Sequence, residues 1–330
     1  MSVEMARNTQ RNGMLSRTAD NLFWLARYME RADFVARIVE ATQRLSSLPT
    51  AYGGAGTEWE SALQSAGAEA YLEEHATVTA SGAIDCLTFD KSNPSSICNC
   101  IENARTNARA VRTALTVEMW ETINGAWLEL KRFEAARAAG ADDDPTQLAR
   151  FLEMVKTTSL HFDGSAYRTM LRHDGYWFSR LGLYVERVDN TARILDVKYH
   201  VLLPESEAVG GSLDYFQWTT ILRTVSALTA YHWVYRQGVK PWLIADLLVL
   251  RPEMPRSLLS CMQNINQYLD SIARAYGRQG ASQRQARAMM ARLENSRIEQ
   301  IFQTGLHEFI SSFVDDNNKL GEAIAEQSLV

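Results

Sequence analysis

The residues in this sequence best suited to chemistry occur twice. Tyr28-Met29-Glu30-Arg31-Ala32-Asp33-Phe34-Val35-Ala36-Arg37-Ile38 is followed, much later in the chain, by Tyr184-Val185-Glu186-Arg187-Val188-Asp189-Asn190-Thr191-Ala192-Arg193-Ile194. The Tyr, Glu, Arg, Asp, Ala, Arg and Ile positions are identical in both copies. Two separated carboxylates are suited to acid–base work. Two carboxylate–guanidinium stripes are suited to gripping an anionic or peptide-like ligand. The same groups can also close on one another as an ion network that fixes helix register. All three readings follow from the residue types alone.

Helical geometry separates the charges. At about 100° per residue, with Tyr28 at zero, Glu30 and Arg37 fall near 200° and 180° and Asp33 near 140°. These three form a polar stripe, repeated by Glu186, Asp189 and Arg193. Glu30 and Arg37 are two turns apart, beyond a simple i,i+4 pair, so the stripe is expected to meet something outside its own helix. Arg31 falls on the apolar arc near Trp24, Val35 and Ile38, and Arg187 falls similarly near Thr191 and Ile194. A guanidinium there must snorkel to water or find a carboxylate, because an unpaired buried charge is costly.

A second constellation occurs once only. Arg105, Arg109 and Arg112 stand at i, i+4 and i+7, with Trp120 and Asn124 farther along. They predict a basic face with an aromatic wall and an amide, suited to an anion or an acidic partner. The aligned positions of the second half lack these arginines. The 95–96 helix start is a weaker anion candidate through its free N–H groups. Other sites fail on their motifs. No Glu-x-x-His pair is present for a carboxylate di-metal bundle, and no His-Glu-x-x-His zinc motif or Gly-x-Ser-x-Gly elbow occurs. The glycines at 53–56 lack the Lys-Ser/Thr ending of a phosphate loop. Cys98 and Cys100 are too close for the usual zinc spacing. No cofactor or metal is expected.

The elements that must hold these groups are helical throughout. Apolar periodicity predicts a helix over 16–48, a second from about 57 through Tyr71 and Leu72, and a third ending at Leu87. Asn93 reads as an N-cap and Pro94 as the first residue of a helix that continues past Trp120. The 138–145 stretch reads as a linker, followed by a helix over about 146–160. Matches then recur in the same order: Trp59 and Leu63 with Trp218 and Leu222, Tyr71 with Tyr231, Asp85 with Asp246. Pro94, Ser96, Cys100 and Asn103 likewise match Pro255, Ser257, Cys261 and Asn264. Internal similarity of this kind marks a repeat. The expected fold is all-α, a helical bundle of two tandem-duplicated halves, 14–160 and 161–330, sharing one core about a pseudo-twofold axis. Residues 1–13 are expected to be a disordered leader.

Composition narrows the classes. The chain has 330 residues, 46% hydrophobic and 22% charged, which suits a globular protein. A net charge of −5 argues against a general nucleic-acid binder. Four cysteines make no disulfide framework. No apolar run approaches the roughly 18 residues of a membrane span. A cytoplasmic location is expected.

The segment from Met14 through Ala32, with Ser16-Arg17-Thr18-Ala19-Asp20-Asn21-Leu22-Phe23-Trp24-Leu25-Ala26-Arg27 inside it, closely resembles the start of the bacterial alpha-E domain family. The likeness continues through Asn93-Pro94-Ser95-Ser96-Ile97, the Arg105, Asn107, Arg109 and Arg112 positions, and Trp120-Glu121 with Asn124. It resumes at Gly182, Glu186-Arg187 and Asp189, and again at Pro255-Arg256-Ser257. That resemblance implies a genomic setting beside, or fused to, circularly permuted ATP-grasp proteins similar to glutathionylspermidine synthases, often with a transglutaminase-like peptidase. Such systems are predicted to form or cleave amide bonds on peptides. The expected function is a non-catalytic accessory protein that docks the ligase or presents a peptide or small-molecule substrate through the two stripes. Its rivals are an enzyme with a carboxylate site between the halves and a purely structural interaction module.

Overall fold

The computed structural model describes residues 16–47, 57–140, 145–200 and 212–329. The 1–13 leader, the 53–56 glycine run and the acidic 142–144 segment lie outside these. Among the described residues every regular element is helical and there is no strand.

The two helices that carry the repeated motif, α1 (Ser16–Ser46) and α8 (Asp174–His200), pack on each other more extensively than any other pair. On α1 rest α5 (Ile97–Ala110) and α7 (Pro145–Thr169); on α8 rest α12 (Leu258–Tyr276) and α15 (Leu306–Ile324). An outer helix, α6 (Val117–Ala138), leans on α5 and α7, and α13 (Ala281–Glu294) leans on α12 and α15. The short helix after each motif helix reaches across. Both α2 (Thr57–Ser65) and α9 (Ser212–Thr224) touch α1 and α8 together. Smaller helices complete the order: α3 (Glu69–Glu74), α4 (Ala80–Thr88), α10 (Leu228–Tyr235), α11 (Pro241–Val249) and α14 (Ile298–Thr304).

Burial explains why α1 and α8 are inside. Phe34, Val35 and Val39 of α1 and Leu181, Val185 and Val188 of α8 belong to one buried cluster that extends to Ile97, Leu258 and Phe313. Each such side chain is worth roughly 1.5–3 kcal/mol when removed from water, so apolar burial drives the association. The charged groups between the helices decide register. A second cluster joins Leu25, Ala26 and Met29 to Ala104, Met119, Ile123 and Phe162.

At one point the two motif helices touch backbone to backbone. A Cβ built on Gly182 of α8 would lie 2.0 Å from the Phe23 carbonyl oxygen of α1. Gly182→Ala must therefore push the helices apart, and overpacking of this sort costs about 1–3 kcal/mol. The expected result is a lower urea midpoint with an unchanged m-value; an undiminished midpoint would show that the helices do not approach this closely.

Several boundaries differ from the sequence expectation, each for a local reason. The cap of α5 is Ser96, whose side chain accepts the Asn99 N–H. Asn93 instead organises the loop before it, accepting from the Ser95 N–H and donating to the Cys86 carbonyl. That helix ends at Ala110, a single 3-10 turn follows, and Thr116 caps a new helix by accepting the Met119 N–H. The segment expected as one helix from 57 through Leu72 is two, broken where Gly67 takes φ +70°. The helix expected to end near 160 runs to Thr169.

Candidate functional site

Each motif glutamate is held by the arginine of the other motif. Arg31 donates through Nε and Nη2 to the two oxygens of Glu186, at 2.5 and 3.1 Å. Arg187 does the same to Glu30, at 2.9 and 2.8 Å. A guanidinium fork meeting a carboxylate in this way is the strongest common ion pair. Both arginines come from the apolar arc of their helices, where sequence placed them in need of a carboxylate.

Each glutamate also has a second arginine, from a different source. Arg27 of α1 gives Nε to Glu186 Oε2 at 2.8 Å. Arg256, two residues before α12, gives Nη1 to Glu30 Oε1 at 2.7 Å and Nη2 to Asp33 Oδ2 at 3.0 Å. Arg27 is covered by the Trp24 ring, 4.6 Å from its centroid, and Arg187 sits 5.5 Å from the Tyr184 centroid. Such faces stabilise a desolvated cation.

The remaining stripe residues close locally and then reach across. Arg37 Nε meets Asp33 Oδ2 at 2.8 Å, and Arg193 Nε meets Asp189 Oδ2 at 2.7 Å, both i,i+4 pairs. Arg37 is thus the partner of Asp33, a pair inside the stripe that the sequence reading did not draw. Its Nη1 continues to the Ser226 hydroxyl in the turn after α9. Arg193 Nη1 lies 3.8 Å from Glu69 and against Gly67 in the turn after α2. Ser226 holds φ +56° and Gly67 φ +70°, so both turns end their helices in the left-handed region. Oδ1 of Asp33 and Oδ1 of Asp189 have no hydrogen-bond partner among the described residues.

The electrostatics follow from this arrangement. Glu30 and Glu186 are only 2% and 1% exposed. Burial alone would raise their pKa, but Arg187 and Arg256 at Glu30, and Arg31 and Arg27 at Glu186, outweigh it and hold each near 2. Arg31 and Arg187 are in turn held above the ordinary arginine value, Arg31 chiefly by Glu186, and Arg187 by Glu30 against the opposing effect of burial. Cys100 of α5 and Cys261 of α12 lie within electrostatic reach of the two pairs, and burial pushes both thiols up to about 12. A carboxylate held ionised has no proton to give, and each of these two already accepts three hydrogen bonds from arginine. The two motif glutamates are therefore enclosed between the helices. One largely apolar cleft lies between Ile38, Thr42, Ala62, Ile194 and Ile221, and neither motif glutamate lines it.

Arg27 and Arg256 were not singled out from sequence as site residues. Arg27 precedes the repeated segment, and the aligned position in the second copy is Leu183. Arg256 stands where the first half has Ser95, a difference legible in sequence. Arg256→Ser is expected to cost about 1–3 kcal/mol, the worth of hydrogen bonds to charged groups, because Glu30 keeps Arg187 and Asp33 keeps Arg37. Chemical denaturation checks it; an unchanged stability would mean that Arg256 is an onlooker.

The one-sided basic constellation is assembled much as its spacing suggested. Arg105 donates from Nε to Asn124 Oδ1 at 3.1 Å and lies 3.8 Å from the Trp127 centroid. Arg112 lies 5.0 Å from the Trp120 centroid. Arg109 and Arg112 are exposed. Among the described residues none of the three is within ion-pair distance of a carboxylate. A bond between the Thr116 and Thr169 hydroxyls joins the start of α6 to the end of α7, so the exposed Val117, Tyr167 and Leu171 extend the same region with apolar surface.

Among the described residues one group has metal-ligand chemistry: Cys98, Glu102 and Glu134, with ligand atoms within 4.8 Å of one another. The ammonium groups of Lys91 and Lys131 already bridge the two carboxylates. Two positive charges balance two negative ones, so the group as it stands asks for no cation. No described helix is long and apolar enough to cross a membrane.

No curated protein and no solved structure matches this chain. A family model does, over residues 14–328: Alpha-E, described as a predicted alpha-helical domain with a conserved ER motif. Glu30-Arg31 and Glu186-Arg187 are the two places where this sequence carries that dipeptide between α1 and α8. With the match spanning nearly the whole chain, this protein belongs to the Alpha-E family.

Proposed function

We propose that this chain is a non-catalytic helical accessory protein of an ATP-grasp amide-forming system, and that its Glu-Arg motif is the internal fastening of the scaffold. The observation that carries this reading is the burial of Glu30 and Glu186, each bound by two guanidiniums. Groups so enclosed serve the fold and leave recognition to the outside. Among the described residues, the Arg105, Arg109 and Arg112 stripe offers cationic charge without carboxylate partners beside an aromatic and apolar margin. On a chain of net charge −5, such a patch suits an acidic, partly apolar face of the ligase or the acidic end of its peptide substrate. A transglutaminase-like peptidase is a further partner of the same system.

The scaffold itself is proposed to be a tandem duplication about a pseudo-twofold axis. In support, Glu30–Arg187 and Glu186–Arg31 are reciprocal, as are the Arg37–Ser226 and Arg193–Gly67 approaches. Ser96 and Ser257 cap corresponding helices by the same bond.

Co-purification of the full chain with the neighbouring ATP-grasp protein tests the functional reading. A complex that weakens at least tenfold in Arg109→Glu/Arg112→Glu, and with rising salt, is the expected result. Absence of a complex, or one indifferent to both, would overturn the proposal.

A further inference from the structure

The loop before α5 brings a lysine amine against a cysteine sulfur. Lys91 Nζ stands 2.6 Å from Cys98 Sγ. Even an N–H···O bond runs about 2.7–3.2 Å, and sulfur is a larger atom than oxygen, so this approach is too close for an ordinary contact. Glu134 Oε1 lies 2.9 Å from the same sulfur and 3.1 Å from the same nitrogen, and Glu102 Oε1 lies 2.9 Å from the nitrogen. Cys98 is buried, whereas half of the Lys91 side chain is exposed, so the amine covers the thiol on its solvent side. The two residues are seven apart in sequence, and the Ser96 cap fixes the turn between them.

We propose that Lys91 and Cys98 form a reversible oxidative cross-link in which one oxygen atom bridges nitrogen and sulfur. A single oxygen bonded to both atoms holds N and S at about the separation seen here, so the link forms with little movement of either side chain. The ammonium first releases one proton to solvent. The amine and thiol then react with one molecule of dioxygen: N–H and S–H bonds break, N–O and O–S bonds form, and the second oxygen leaves as water with the two hydrogens. Nitrogen and sulfur each lose two electrons, and dioxygen gains four. Two molecules of hydrogen peroxide serve equally, with three waters released. Four thiols, or two dithiols, reduce the bridge back to amine and thiol: they are oxidised to two disulfides, and the bridging oxygen leaves as water. Glu102 and Glu134 hold the amine over the sulfur in the reduced form. In the linked form Lys91 is no longer a cation, and Lys131 becomes the remaining counter-ion of the two glutamates. Buried Cys86, Cys100 and Cys261 have no such amine against them among the described residues.

The test uses the purified full chain, prepared without reductant or treated with graded hydrogen peroxide, then denatured with an alkylating agent and mapped by mass spectrometry. The expected product is a peptide pair linked at Lys91 and Cys98, heavier by one oxygen and lighter by two hydrogens, returned to the unmodified masses by dithiothreitol. Cys98→Ser and Lys91→Arg should each abolish it while leaving the far-ultraviolet spectrum unchanged. Oxidation of Cys98 to sulfinic or sulfonic acid alone, persistence of a free Cys98 thiol when methionines are already oxidised, or an equal yield in Lys91→Arg would overturn the proposal.

Discussion

Glu186→Ala is expected to lower the free energy of unfolding by about 3–5 kcal/mol, the cost of breaking a buried ion pair and leaving the other charge uncompensated. Arg27 and Arg31 both direct their guanidiniums at this one carboxylate. Beyond Glu186, Arg31 makes no hydrogen bond to a carboxylate, although Asp189 adds to the negative potential around it. Arg31→Ala should cost less, because Glu186 retains Arg27. A loss of that size is a large share of the ordinary stability of a domain, so the alanine variant is expected to unfold at markedly lower urea concentration or to accumulate poorly.

The informative comparison is between breaking the network and replacing it. Removing both charges of the Glu30–Arg187 pair, as Glu30→Leu with Arg187→Met, should recover most of what Glu30→Ala alone loses, since well-packed apolar residues commonly match or exceed a buried ion pair. If such a double variant folds but leaves the α1–α8 register less well defined, the network is a specificity device. If it folds with normal register and fails only to bind a partner, the buried pair matters for recognition and the scaffold reading is wrong. A double-mutant cycle on the same pair gives the coupling directly.

How much of this was legible beforehand differs by level. The all-helical class was plain from periodicity, and the position of Arg31 on an apolar arc already required it to reach water or a carboxylate. The identity of that carboxylate was not legible, because a helical wheel places residues on one helix and says nothing about which helix faces it. For the same reason Asp33, Arg37 and Glu30 read as one stripe that meets something outside its own helix, with the partner unnamed. In fact the wheel's polar sector faces α8 and the α12 cap, and Asp33 takes Arg37 as its own i+4 partner. Arg256 illustrates the other limit. It joins Glu30 and Asp33 from far along the chain, and only the docking of α12 beside α8 brings it there. The helix breaks at Gly67 and Ala110 were missed because apolar residues resume on the far side of each turn.

Acid should dissolve the same network from within. The ordinary carboxyl value is 4.5, and Glu30 and Glu186 are held near 2. A depressed native pKa means that the unfolded chain binds protons more readily, so the stabilisation is complete above about pH 4.5 and is lost as pH falls toward 2. Each group contributes on the order of 3 kcal/mol, from about 1.4 kcal/mol per pKa unit. Glu134 is also held near 2, first against burial and then by its contacts with Cys98, Lys131 and Lys91. It is partly exposed, and solvent screening makes it the smaller contributor. Urea midpoints measured at intervals from pH 5 to pH 2 should therefore fall steeply in the native sequence. Glu30→Gln/Glu186→Gln should start lower and fall much less over the same window, because the groups whose protonation differs between native and unfolded chains are gone. Parallel curves for the two proteins would show that these carboxylates are not the ones the arginines hold ionised, and the fastening assigned to the Glu-Arg motif would have to be sought elsewhere in the helices.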